Sequence, residues 1–138
     1  MNNQQAINKL SLQNNSLIGL FLHSVAQYPH HNALWVEGTY YTYAELYDLA
    51  EKLSSVICEF ECERVVLFTN RSITSFVSII GTLMAGKIYV PISPNIPVEN
   101  NICLLNTIND GIIIIDEENE KSAEHLLMHI NRPMIVLF

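Results

Sequence analysis

The stretch Leu83-Met84-Ala85-Gly86-Lys87-Ile88-Tyr89-Val90-Pro91-Ile92-Ser93-Pro94 decides the fold. It reads as the end of a helix, a glycine stop, a short strand and a proline brake. Gly86 stands where a helix closes through a left-handed residue. Ile88 to Ile92 is apolar and short, as a strand is. Pro91 and Pro94 limit its pairing and end it.

Working upstream, Ser72 is placed to cap a helix whose apolar face is Ile73, Phe76, Val77, Ile80, Leu83 and Met84. Before it, Arg64-Val65-Val66-Leu67-Phe68-Thr69 is a continuous apolar run, the mark of a strand covered on both faces. Downstream the pattern recurs. Pro97 opens a helix with Ile102, Leu105 and Ile108 inward. Ile112 to Ile115 is a second buried strand. Ser122 to Ile130 is a helix with Leu126, Leu127 and Ile130 inward, and Met134 to Phe138 is a last strand. Strands alternating with helices predict an α/β fold with a mainly parallel sheet of βαβ units.

The N-terminal half precedes this sheet with other elements. Residues 1–15 are polar and are expected to form a flexible lead-in; residues 16–138 form one α/β domain. A helix starts at Ser16, shows Leu17, Leu20, Phe21 and Val25 on one face, and ends at Tyr28-Pro29. Ala33 to Tyr41 reads as a β-hairpin turning at Glu37-Gly38-Thr39. Thr42 and Glu45 have the spacing of a capping box. The helix they open buries Tyr43, Leu46, Leu49, Ala50, Leu53 and Val56 or Ile57.

Composition excludes several functions. The 138 residues are 49% hydrophobic and 15% charged, which fits a packed domain and not a disordered chain. Seven basic against 14 acidic residues give a net charge of −7, with no basic cluster. Nucleic acid and anionic membrane are therefore not expected partners. No targeting segment is visible and no apolar stretch approaches a membrane span, so a cytoplasmic chain is expected. The acidic groups at Glu59–Glu63 and Asp116–Glu120 read as solvated loops. Cys58, Cys62 and Cys103 form no disulfide framework or zinc motif and read as buried or half-buried thiols.

Candidates for chemistry are few. Thr69-Asn70-Arg71-Ser72 joins a strand to a helix, where α/β sheets bind anions. Arg71 and Ser72 are the candidate cofactor-binding residues. The loop has no glycine, and a capped turn with a solvated arginine is the competing account. Gly81 to Lys87 approaches a phosphate-loop pattern, but Ile88 stands where a hydroxyl is required, and helix precedes strand instead of following it. His125 and His129 share a helix spacing without the glutamate or third ligand of a metal site. No catalytic residue and no metal ligand is assigned.

Two stretches carry a resemblance. Tyr41-Thr42-Tyr43-Ala44-Glu45-Leu46 resembles the pattern L-T-Y-x-E-L. Leu83 to Pro94 resembles L-K-A-G-x-A-Y-V-P-I-D-P, with Met84, Ile88 and Ser93 departing from it. In this order and spacing they are similar to the first core motifs of the adenylate-forming (AMP-binding) enzymes, most of all the adenylation domains of nonribosomal peptide synthetases. The resemblance covers about residues 17–138 and implies the first part of the large N-terminal subdomain. Thr42, Tyr43, Glu45, Leu46, Ala85, Gly86, Tyr89, Val90, Pro91 and Pro94 are then structural motif residues. The family's phosphate loop, ribose-binding aspartate, substrate pocket and mobile lysine match nothing here. The resemblance thus implies a non-catalytic part of a split or truncated carboxylate-activating domain. ATP and Mg are expected only for a completed enzyme. The expected partner is a chain carrying the rest of the domain, or a second copy, with a carrier protein as a further candidate. The alternatives are a module docking on a synthetase or carrier protein, and an independent small-molecule-binding α/β domain.

Overall fold

The computed structural model describes residues 16–108, 111–131 and 134–137. The expected lead-in, residues 1–15, lies outside the described residues, as does Phe138 of the expected last strand. Helix α1 (Leu17–Gln27) precedes a hairpin of β1 (Asn32–Val36) and β2 (Thr39–Thr42), then helix α2 (Tyr43–Cys58). The rest alternates: β3 (Arg64–Phe68), α3 (Ile73–Met84), β4 (Ile88–Ile92), α4 (Val98–Leu105), β5 (Ile112–Ile115), α5 (Glu120–Leu127) and β6 (Ile135–Leu137). A 3₁₀ turn, Glu117–Asn119, leads into α5.

Strands β3 to β6 form one parallel sheet in the order β4-β3-β5-β6, and the hairpin is separate. The step from β3 to β4 runs one way across the sheet and the step from β4 to β5 runs back. Right-handed crossovers therefore put α3 on one face and α4 and α5 on the other. Side-chain alternation then splits the core. Val66, Phe68, Ile113 and Ile115 pack with Leu105, Ile108 and Leu126. Val65, Leu67, Ile112 and Ile114 pack with Ile57, Leu53 and Ile79 on the opposite face. The isoleucine run has no polar alternation because both its faces are covered.

Several inward faces differ from the expected ones. In α1, Leu22 and Val25 are buried, while Leu17 and Leu20 are 63% and 61% exposed. The first turns of α1 are apolar on more than one side, so helical spacing alone admits two stripes. In α3 the buried residues are Ser78, Gly81 and Thr82, whereas Ile73, Phe76, Val77, Ile80, Leu83 and Met84 are half-buried. Close helix packing is the reason. A Cβ added at Gly81 would stand 3.0 Å from the carbonyl oxygen of Ala50 in α2. In α2, Leu46, Ala50, Ser54 and Ile57 are buried, while Leu49 and Val56 are exposed.

The turns follow their chemistry. Glu37 (φ 51°) and Gly38 (φ 79°) make the hairpin turn, and Thr39 already belongs to β2. Gly86 (φ 70°) closes α3: its N–H reaches Leu83 O at 3.1 Å, and Lys87 N–H reaches Thr82 O at 3.0 Å. Ser16 caps α1 by accepting Gly19 N–H at 3.2 Å.

The capping box of α2 is complete. Glu45 Oε2 accepts the Thr42 N–H and the Thr42 hydroxyl, each at 2.8 Å, and Glu45 N–H donates to Thr42 Oγ1 at 3.3 Å. The Thr42 N–H, and then its hydroxyl, hold the Glu45 carboxyl below its ordinary value of 4.5. A depressed carboxyl contributes stability above its unfolded value and loses it as pH falls through the folded one. The melting temperature of Glu45→Gln is therefore expected below that of the natural chain at pH 7, with the gap closing as pH drops below 4.5. A gap that stays constant across this range would show that the ionised carboxyl contributes nothing.

Candidate functional site

Parallel sheets place ligands beyond the carboxyl ends of their strands, where neighbouring strands send their loops to opposite faces. In this sheet that point lies between β3 and β5. β3 leads through Thr69–Ser72 to α3 on one face, and β5 leads through Asp116–Asn119 to α5 on the other.

Asp116 occupies this point and is 5% exposed. Its Oδ2 accepts the Asn70 N–H at 2.9 Å and the Ser72 hydroxyl at 3.1 Å. Its Oδ1 accepts the side-chain amide of Asn119, itself buried. Around this centre, Asn95 donates from Nδ2 to Asn70 Oδ1 at 3.2 Å, and Asn101 donates to Ser93 O at 2.8 Å. Glu37, from the hairpin turn, accepts the Ile73 N–H at 3.4 Å. Two carboxylates from distant parts of the chain thus face the amino end of α3, where the helix dipole favours negative charge.

This geometry corrects two expectations. Ser72 stands at the N-cap position, but its hydroxyl makes no capping bond; it is committed to Asp116. Asp116 is not part of a solvated acidic loop. Glu117, Glu118 and Glu120 are exposed, whereas Asp116 is buried and fastens one loop to the other. Asn70 lies in the loop that the sequence marks, whereas the roles of Asp116 and Asn119 have no mark in composition or spacing. The available signal was an aspartate directly after a fully buried strand, opposite a loop that begins a helix.

The arrangement acts as a latch. The Asp116 carboxylate holds the loop before α3, the Glu37 carboxylate takes the first N–H of that helix, and no glycine opens the loop. Arg71 is exposed at its rim. The Asp116 carboxylate places like charge beside the position a nucleotide phosphate would take.

The other candidates are accounted for separately. Lys87 donates from Nζ to Phe60 O at 2.8 Å and Cys62 O at 2.5 Å, tying the turn before β3 to the start of β4. Cys58 and Cys103 are exposed and Cys62 is half-buried, which corrects the expected burial of the first and third; all are free. The imidazoles of His125 and His129 lie 4.7 Å apart on the surface. Among the described residues no group of three or more His, Cys, Asp or Glu could hold a metal. No described helix is long and apolar enough to cross a membrane.

The motif residues sit in joints and core. Thr42 and Glu45 cap α2. The Tyr43 ring lies 6.2 Å from Phe21, and Leu46 is buried. Ala85 and Gly86 end α3. Tyr89 and Val90 face opposite sides of the sheet, each against one core cluster. Pro91 is exposed on β4, and Pro94 is half-buried after it.

The fold defines the class: a parallel α/β scaffold packed on both faces, with its crossover loops tied together by Asp116. The chain belongs to the AMP-binding enzyme family, which it matches over residues 21–136. It corresponds to the N-terminal portion of a synthetase-type adenylation domain. It is 28% identical over 116 residues to a plipastatin synthase of Bacillus subtilis, covering 82% of this chain and 4% of that protein. It is 31% identical over 108 residues to bacitracin synthase 2 of Bacillus licheniformis, covering 76% and 4%. Among solved structures it resembles the nonribosomal peptide synthetase FmoA3 bound to α-methyl-L-serine-AMP. The TM-score is 0.74 at 20% identity, over 99% of this chain and 16% of that one. The chain thus spans about 4% of the length of these curated relatives.

Replacing Asp116 by Ala leaves a backbone N–H, a hydroxyl and an amide without their acceptor. The expected cost is about 2–4 kcal/mol in urea unfolding. Arg71→Ala is expected to change stability by less than about 0.5 kcal/mol. An Asp116→Ala protein as stable as the natural one would show that the latch holds nothing.

Proposed function

We propose that this chain is the scaffold part of a carboxylate-activating enzyme and supplies no reacting group itself. In the completed enzyme a carboxylate oxygen would attack the α-phosphorus of ATP. Pyrophosphate would leave, and an acyl- or aminoacyl-adenylate would form. A carrier-protein or coenzyme A thiol would then take the acyl group and release AMP. ATP and Mg would be gripped by the remaining part of the domain, carried by a partner chain. The same proposal puts the chain in the cytoplasm and in natural-product biosynthesis.

One observation carries this. The family match spans residues 21–136, and among the described residues its β3–α3 loop is tied down by the Asp116 carboxylate, which puts negative charge beside the amino end of α3. What remains is packing and cap chemistry: Thr42–Glu45, the Gly86 stop and the two-faced sheet.

The test is carboxylate-dependent ATP–pyrophosphate exchange. It is run with the chain alone, then with a separately produced polypeptide that carries the rest of an adenylation domain. Silence alone and exchange in the mixture is the expected result. Exchange by the chain alone would contradict the proposal. Silence in both, with the two proteins co-eluting, would favour a docking module instead.

A further inference from the structure

We propose that His125 and His129, at the carboxyl end of α5, chelate one divalent transition-metal ion that favours right-angle coordination, of the nickel or copper type. The site is separate from the latch and does not rest on the scaffold role. Asp116 and Asn119 precede α5, whereas the two histidines stand at its other end.

The backbone keeps helical spacing past Leu127. Met128 N–H bonds to Glu124 O at 3.1 Å, and His129 N–H bonds to Leu126 O at 3.2 Å. Residues four apart therefore share one side, and both imidazoles are exposed on it. Their centroids lie 4.7 Å apart and their planes are tilted by 38°.

That separation suits one ion between them. With both rings turned to an ion at about 2.0–2.1 Å, the centroids stand about 4.5 Å apart for bonds meeting at a right angle, and about 5.2 Å apart for a tetrahedral angle. The observed spacing is nearer the right angle. Right-angle positions belong to square-planar and tetragonal ions, Ni(II) and Cu(II), whereas Zn(II) takes a tetrahedron.

A second observation prepares a ligand atom. Nδ1 of His129 lies 2.8 Å from the carbonyl oxygen of His125. A carbonyl only accepts, so Nδ1 carries the proton and Nε2 keeps its lone pair. Imidazoles that hold metals are set in this way, with one nitrogen donating to a carbonyl while the other ligates.

Charge favours a cation here as well. The carboxyl end of a helix carries partial negative charge. Lys121 stands one turn before His125, and Glu124 beside that histidine balances it. The whole chain has a net charge of −7. The glutamate and third protein ligand of a zinc protease are not needed for a chelate, because water fills the remaining positions. The bound ion would clamp the last turn of α5 and so stabilise the folded chain.

Nickel(II) is the probe, because it leaves the exposed thiols of Cys58 and Cys103 unoxidised. Calorimetric titration at neutral pH is expected to give one ion per chain with a micromolar dissociation constant. His125→Asn and His129→Asn, each checked for native circular dichroism, are expected to weaken binding by about tenfold or more, since losing either imidazole loses the chelate. The double variants His30→Asn with His31→Asn, and Cys58→Ser with Cys103→Ser, are expected to bind as the natural chain does. Nickel is expected to raise the melting temperature of the natural chain and of neither single histidine variant. Binding undiminished in both single variants would overturn the inference, as would binding lost with His30 and His31 or with Cys58 and Cys103. Zinc held more tightly than nickel would overturn the right-angle geometry and with it the class of ion.

Discussion

The carboxylate of Asp116 receives the Asn70 N–H, the Ser72 hydroxyl and the Asn119 amide at the carboxyl ends of β3 and β5. Those strands send their loops to opposite faces of the sheet, so this is the point where the two halves of the core would otherwise part. The carboxylate ties the loops together. It also presents negative charge to the amino end of α3, where Glu37 arrives from the hairpin as well. Asp116 thereby joins the sheet to the start of α3, and Glu37 joins the hairpin to the same helix end.

The same economy runs through the rest of the molecule. β3 and β5 are buried on both faces, with alternate residues assigned to separate clusters. α3 approaches α2 closely enough that Gly81 has no room for a side chain. That contact spends the small residues of α3 on α2 and leaves its larger ones half-covered. A family member built this way has the joints and core of the N-terminal portion of an adenylation domain.

Much of this was legible in the sequence because it depends on local chemistry. The Thr42–Glu45 box, the Gly86 stop and the Ile112–Ile115 strand follow from spacing and residue type alone, and each formed as expected. What was not legible depends on partners distant in sequence. Ser72 reads as a cap because caps are local; its hydroxyl instead turns to Asp116, 44 residues away. Asp116 reads as one of a solvated acidic group because its burial is set by the crossover order. The inward face of α3 reads as its large residues because periodicity weighs hydrophobicity, whereas helix contact selects for size.

The central claim is that the chain contributes structure and no grip on nucleotide. The most direct test is the melting temperature of the isolated chain with and without millimolar Mg-ATP. A ligand at 100 times its dissociation constant would stabilise the fold by about 2.7 kcal/mol, a shift of several degrees. An unchanged melting temperature is the predicted result; a rise of several degrees would contradict the account.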